Sequence, residues 1–210
     1  MSKFLKDTSQ LRIQRLVRCV IVGFILCHLN ACAWVGVTPS NRSETDRQIL
    51  YRLGVWQFQG RLVVKTHKDS WHANIDWSHT FGLDTLQFSG PFGQGATRIL
   101  VYPDSIRIID SKGNIDISEN SQRTIYRRFG FQVPLSSLKF WVLGVTEPDV
   151  KNCIENDADG FLRKIWYQDW EVFIKKYMVS DKYTVPKLIQ IKNKDTVLKL
   201  VIDHWSQGVE

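Results

Sequence analysis

Disulfide chemistry is the first thing this sequence lacks. Of its four cysteines, Cys19, Cys27 and Cys32 lie within the first 32 residues, and only Cys153 falls in the remaining 178 of the 210. A lone thiol closes no intrachain bridge, so the fold must be held by a hydrophobic core, which a chain of this length can build. Cys153 is expected as an ordinary thiol in a loop. A membrane-spanning run is also missing: the longest apolar stretch, Cys19 to Leu29, has eleven residues, against the ~20 that a bilayer requires. Nor is there a real surplus of positive charge. Residues 1–31 hold +4 of the formal +7, leaving +3 for the rest. The later basic residues are scattered with no RNA- or DNA-binding motif, which argues against a nucleic-acid partner. No serine sits in a nucleophile elbow, and no glycine-rich phosphate loop follows a strand.

Metal-ligating sets are equally thin. His67, His72 and His79 with Asp76 invite a metal reading, but His72 and Asp76 project to the polar face of a strand while His79 has the opposite parity. Glu155 to Gly160 hints at a calcium loop, yet its twelfth position would be Trp166 rather than glutamate. Asp159-Gly160 reads more simply as a hairpin turn. No cofactor, metal or catalytic residue is expected.

What is present begins at the amino terminus. Arg12, Arg15 and Arg18 precede the apolar Cys19–Leu29 segment, the order of a secretory signal. Leu29-Asn30-Ala31-Cys32 follows and resembles a bacterial lipobox. That resemblance implies a signal peptide over 1–31, lipid on Cys32, and a lipidated tether over 32–42 before a single domain at 43–210. Ala33 after the cysteine, rather than aspartate, resembles an outer-membrane address.

The rest of the chain is a succession of strands. Trp56, Phe58, Gly60, Leu62 and Val64 alternate with polar residues, as do Trp71, Ala73, Ile75 and Trp77. Period-two patterning predicts half-buried strands. Further strands are predicted over 83–88, 97–102, 105–110, 115–117, 161–167, 170–178, 187–192 and 196–205. Ile49, Leu50 and Leu53 predict a helix capped near Ser43–Asp46. Ser121–Phe129 and Val133–Gly144 predict two more, the second with Pro134 in its first turn and Leu135, Leu138, Trp141 and Val142 on one face. Hairpin links without a βαβ rhythm predict a mainly β domain, an antiparallel barrel or a strongly curved sheet. Patterning does not distinguish a packed interior from a vacant one.

The stretch Leu83 to Tyr102 carries the sharpest signal. Two strands flank Gly90-Pro91-Phe92-Gly93-Gln94-Gly95, whose glycines and proline force a turn. Phe92 therefore sits near a hairpin tip. Its ring either folds back under the hairpin or stands exposed to meet lipid or a partner.

Several pieces, in order, resemble the LolB family of outer-membrane lipoproteins. They include Phe58-Gln-Gly-Arg61, Leu86-Gln-Phe-Ser-Gly-Pro-Phe-Gly93, Val133-Pro-Leu-Ser-Ser-Leu138, Trp141-Val-Leu-Gly144 and Leu200-Val-Ile-Asp-His-Trp205. The resemblance implies an unclosed antiparallel β-barrel of about eleven strands with short helices on its concave side. It implies a receptor that accepts lipoproteins from a periplasmic, LolA-like carrier and inserts them into the outer membrane; with no nucleotide site in the sequence, the hand-off is expected to run downhill without nucleotide hydrolysis, and a monomer is expected. It further implies an apolar membrane-insertion loop, matched here by Pro91, Phe92 and Gly93. On this reading Trp56, Phe58, Trp71, Ile75, Trp77, Phe88, Ile106, Ile108 and Trp141 line or border a cavity for the acyl chains of cargo. The alternative is a structural or assembly-partner lipoprotein that uses its sheet for protein contacts.

Overall fold

The computed structural model describes residues 44–148 and 153–208. The expected signal peptide, the tether and Cys32 lie outside the described residues. Eleven strands form one antiparallel sheet in the order β6-β5-β4-β3-β2-β1-β11-β10-β9-β8-β7. These are β1 (Val55–Thr66), β2 (Ser70–Thr80), β3 (Leu83–Ser89), β4 (Thr97–Val101), β5 (Ile106–Ile109), β6 (Ile115–Ser118), β7 (Cys153–Asn156), β8 (Leu162–Tyr167), β9 (Trp170–Ser180), β10 (Tyr183–Lys192) and β11 (Thr196–Gln207). The first and last strands pair in the middle, from Trp56 opposite Gln207 to Thr66 opposite Thr196. The free edges are β6 and β7, so the sheet does not close. The chain crosses between these edges through α2 (Ser121–Phe129) and α3 (Leu135–Trp141), while α1 (Glu44–Tyr51) precedes β1.

Patterning in β1 is read out faithfully. Trp56, Phe58, Gly60, Leu62 and Val64 are buried, whereas Gln57, Gln59, Arg61 and Lys65 are exposed. Gly60 marks a bulge against β11. A Cβ there would lie 2.2 Å from the Val201 carbonyl oxygen, so only glycine lets the two backbones approach this closely. The helices end as their residues dictate. The Asn120 side chain accepts the Arg123 backbone N–H (2.9 Å) at the start of α2, and Gly130 (φ 76°) closes it in the left-handed region. Ile125, Leu135, Leu138, Trp141 and Val142 join the buried face of the sheet in one core cluster.

Three expectations need correction. Cys153 is in an edge strand, β7, rather than a loop; all four residues of that strand are exposed, so burial left no alternation to read. The tenth strand begins at Tyr183, not Lys187, because Pro186 is admitted where the pairing with β9 slips between Pro186 and Leu188. Ile49, expected on the buried face of α1, is 42% exposed, while Leu50 and Leu53 are buried.

Candidate lipid-binding site

The loop between β3 and β4 is a built turn. Gly90 donates its N–H to the Gln94 carbonyl (2.8 Å), and Gly93 donates to the Gly90 carbonyl (3.0 Å). The Asn74 side chain adds a bond to the Gly90 carbonyl from β2. Within this frame Pro91, Phe92 and Gly93 form a single 3-10 turn in which Phe92 adopts φ 73°, ψ 16°. Left-handed backbone is rare for a bulky L-residue. The ring nonetheless stands 96% exposed. Of the two positions open to Phe92, the chain adopts the exposed one.

Beside this loop is a cleft of about 410 Å³, within the ordinary range of ligand sites. Trp71, Ala73, Phe88, Gly90, Arg128 and Phe129 are among its walls. Its floor is aromatic: Trp71 lies 5.9 Å from Phe131 between ring centres, Phe88 lies 6.3 Å from Phe129, and the two phenylalanines Phe129 and Phe131 lie 6.2 Å apart. The spacing is that of attractive ring pairs. Phe129 and Phe131 flank the helix-ending Gly130 and were not among the residues singled out from sequence. The pattern Phe-Gly-Phe at a helix end was the available signal.

The other expected cavity residues lie deeper. Trp56, Phe58, Ile75, Trp77, Ile106, Ile108 and Trp141 are 5% exposed or less and belong to one closed cluster; Trp71 and Phe88 are half-buried at its margin. Trp56 packs on Phe58 and Trp77 at 6.2 and 5.5 Å. In this conformation the seven are core, and the space beneath the helices is filled by the chain's own side chains. One polar knot is buried with them. The Asp84 carboxylate accepts the Trp77 indole N–H (2.9 Å) and meets His79 Nδ1 at 2.9 Å, and His79 stacks on Trp56. The remaining residues weighed for metal binding are dispersed: His67 meets Asp195, and Asp76 accepts from Gln59. Asp157 accepts the backbone N–H groups of Asp159 and Phe161, as a turn residue does.

Two ion pairs fasten the end of α2 over the sheet edge. Arg127 meets Asp116 on β6, and Arg128 meets Asp110 at 3.2 Å. The side-chain amide of Asn114 holds the Asp110 carboxyl down at about 2; burial acts the other way, and the backbone N–H groups of Asn114 and Lys112 and the Arg128 guanidinium add to the lowering.

Three kinds of likeness bear on this arrangement. A family model described as Outer membrane lipoprotein LolB matches residues 54–205. The Outer-membrane lipoprotein LolB of Pseudomonas paraeruginosa is 25% identical over 197 residues, covering 90% of this chain and 96% of the relative. Its namesake in Chromohalobacter salexigens is 27% identical over 192 residues, covering 89% of each. Among solved structures, a DUF1329 family protein from Desulfovibrio piger shares the fold (TM-score 0.57, 7% identity, 79% of this chain and 90% of that one). A putative outer membrane lipoprotein-sorting protein domain from Vibrio parahaemolyticus does so too (TM-score 0.53, 12% identity, 79% and 92%), as does a LolA superfamily protein from Nitrosomonas europaea (TM-score 0.51, 8% identity, 82% and 96%).

Proposed function

The chain belongs to the outer-membrane lipoprotein LolB family, and from that premise we propose that it accepts lipoproteins from a soluble periplasmic carrier and inserts them into the outer membrane. The family and the fold support a part in outer-membrane lipoprotein sorting, and the relatives are named as lipoproteins rather than as enzymes. Lipid on Cys32 holds the receptor at its membrane, facing the periplasm. A monomer suffices for the task.

The observation that carries the reading is the juxtaposition at one end of the sheet. A phenylalanine is held in water at 96% exposure, beside a cleft floored by Trp71, Phe88 and Phe129. An acyl chain of about 14 methylenes costs on the order of 11 kcal/mol to expose to water. The cleft is where such a chain begins to be sheltered. Lodging it fully requires Phe129, Phe131 and Val133, the segment between α2 and α3, to give up their places. The deeper wall of Trp56, Phe58, Trp77, Ile106, Ile108 and Trp141 then faces hydrocarbon instead of the chain itself. The transfer runs downhill from carrier to receptor to bilayer and needs no nucleotide.

Displacement of a bound fluorescent fatty acid by cargo lipoprotein tests the accepting step. Trp71→Ala with Phe88→Ala is expected to weaken that binding at least tenfold while leaving the fold intact. Undiminished binding by the double variant removes the cleft from the route. The second reading, a structural lipoprotein working through its sheet, draws on the filled core and on Ile115 and Ile117, 58% and 62% exposed on the free edge strand β6. It predicts no competitive acyl binding at all.

A further inference from the structure

Phe92 is not the one exposed phenylalanine held in left-handed backbone. Phe81, at the β2–β3 turn, has φ 35° and is 70% exposed. The two residues bracket β3, one at each end. Neither conformation nor burial explains a phenylalanine at either tip: the backbone favours glycine or asparagine, and the ring gains little shelter. Phe81 is nonetheless seated with care. Its N–H donates to the Gly54 carbonyl (2.9 Å). Its ring lies so close over Gly54 that a Cβ there would come within 2.3 Å of it. One face of the ring is braced on bare backbone, and the rest points to solvent.

We propose that Phe81 is a second lipid contact, which docks this end of the domain on the bilayer that holds the anchor. The proposal rests on the reading of Cys32 as lipidated. The chain outside the described residues argues for a membrane as the occupant. Residues 33–43, eleven in number, reach about 40 Å at full extension, and they join the domain at α1, which leads through Leu53 and Gly54 to the seat of Phe81. The tether therefore enters the domain at the end that bears Phe81, so a contact there uses the least of its reach, while its length still lets the Phe92 end turn to the bilayer during delivery. Exposed apolar side chains accompany it at this end of the sheet: Ile49 on α1 and Val179 near the end of β9, 42% and 53% exposed. Exposed charges here are of both signs, with Arg52 and Lys182 against Asp104 and Asp181, so the contact is apolar and tolerates salt. The idle domain rests on the Phe81 end, and Phe92 faces the periplasm from the other end of β3, about 23 Å away along the strand.

The full lipidated chain in vesicles of phosphatidylethanolamine with a minority of phosphatidylglycerol tests this. In a Cys153→Ser background, Phe81→Cys and Phe92→Cys carry a polarity-sensitive nitrobenzoxadiazole label. Without cargo, the label at 81 is expected to shift to the blue and to be quenched by brominated lipid, and the label at 92 to report water. Flotation first establishes that the chain is attached, so loss of the anchor is seen separately from loss of the Phe81 contact. A water-like label at 81 on attached protein overturns the proposal. So does a blue shift that appears without vesicles as the protein concentration rises, which marks a second copy as the occupant. Unlabelled Phe81→Asn, which suits the left-handed turn, is expected to fold normally. With Cys32→Ala added to remove the lipid, it is expected to partition into the same vesicles at least tenfold less than Cys32→Ala alone. Equal partitioning by the two also overturns it.

Discussion

Replacing Phe92 separates folding from delivery with little ambiguity. At 96% exposure the ring contributes almost nothing to the core, and its φ of 73° is one that asparagine adopts more readily. Phe92→Asn is therefore expected to leave stability unchanged or to raise it by up to about 1 kcal/mol. Membrane contact is another matter. Sinking a phenylalanine side chain into an apolar phase is worth roughly 1.5–3 kcal/mol, which corresponds to about a ten- to hundredfold change in partitioning. The assay follows a radiolabelled cargo lipoprotein from its carrier to receptor and then to vesicles. The Phe92→Asn receptor is expected to accept cargo at the wild-type rate and to release it to vesicles at least tenfold more slowly, and Phe92→Glu more slowly still. Wild-type delivery by both variants would refute the loop's role, because a ring exposed to this degree has no packing role to fall back on. Failure of acceptance instead would move Phe92 from insertion to carrier recognition.

The buried knot beneath Trp56 offers a stability test. Asp84→Ala strands the buried Trp77 indole N–H and removes the partner of the half-buried His79 ring, and a loss of about 2–4 kcal/mol is expected in urea unfolding; a loss under about 0.5 would mean that water replaces the carboxylate. Acid reports on Asp110. A carboxyl held at about 2 in the folded chain, against about 3.9 when unfolded, adds stability that is full above the unfolded value and is lost as pH falls through the folded one. The Arg128 pairing is thus expected to persist to about pH 3, and Asp110→Asn to flatten the stability profile below about pH 4; an unchanged profile would show that Asp110 contributes nothing there.

How much was legible in advance depends on which face each residue serves. The strands around β1 could be read because Trp56, Phe58, Leu62 and Val64 are buried on one side only, which is what alternation records. The second helix of the crossing segment could be read from Pro134 in its first turn, and the structure shows the first to be capped by Asn120 and Gly130. β7 escaped because an exposed edge strand buries nothing on either face. The start of β10 escaped because a proline inside a strand is tolerated only at a bulge, and a bulge is a property of the pairing, not of one strand. In the candidate site, Phe92 could be placed at a tip from its glycines and proline. Phe129 and Phe131 could not be placed beside Trp71, since they reach the cleft through a helix that folds back from far along the chain. Phe81 carries no signal in the sequence, its positive φ being visible only in three dimensions.

The interior is packed where the cavity reading expects an acyl-lined wall, so on the proposed function the segment over it must open for cargo, and the magnitudes make the point testable. Phe131 and Val133 are buried and Phe129 is packed against the core; uncovering all three costs about 5–9 kcal/mol at the usual 1.5–3 for each. That cost holds the segment in place over the sheet. Sheltering one acyl chain of about 14 methylenes recovers on the order of 11 kcal/mol, enough to offset it with a few kcal/mol to spare, and a modest surplus is what allows the cargo to be released again into a bilayer. The segment turns at Gly130, whose left-handed backbone has open space beside it. Amide hydrogen exchange is therefore expected to be slow at Phe129–Val133 in the empty protein and at least tenfold faster with a bound acyl chain, while the strands bearing Trp56 and Trp77 stay protected. Gly130→Ala, strained at φ 76°, is expected to shift the balance toward the open arrangement and raise acyl affinity. Exchange that slows throughout the segment when the acyl chain binds would show that the hydrocarbon is taken up without displacing these side chains, and the interior would have to be regarded as permanent core.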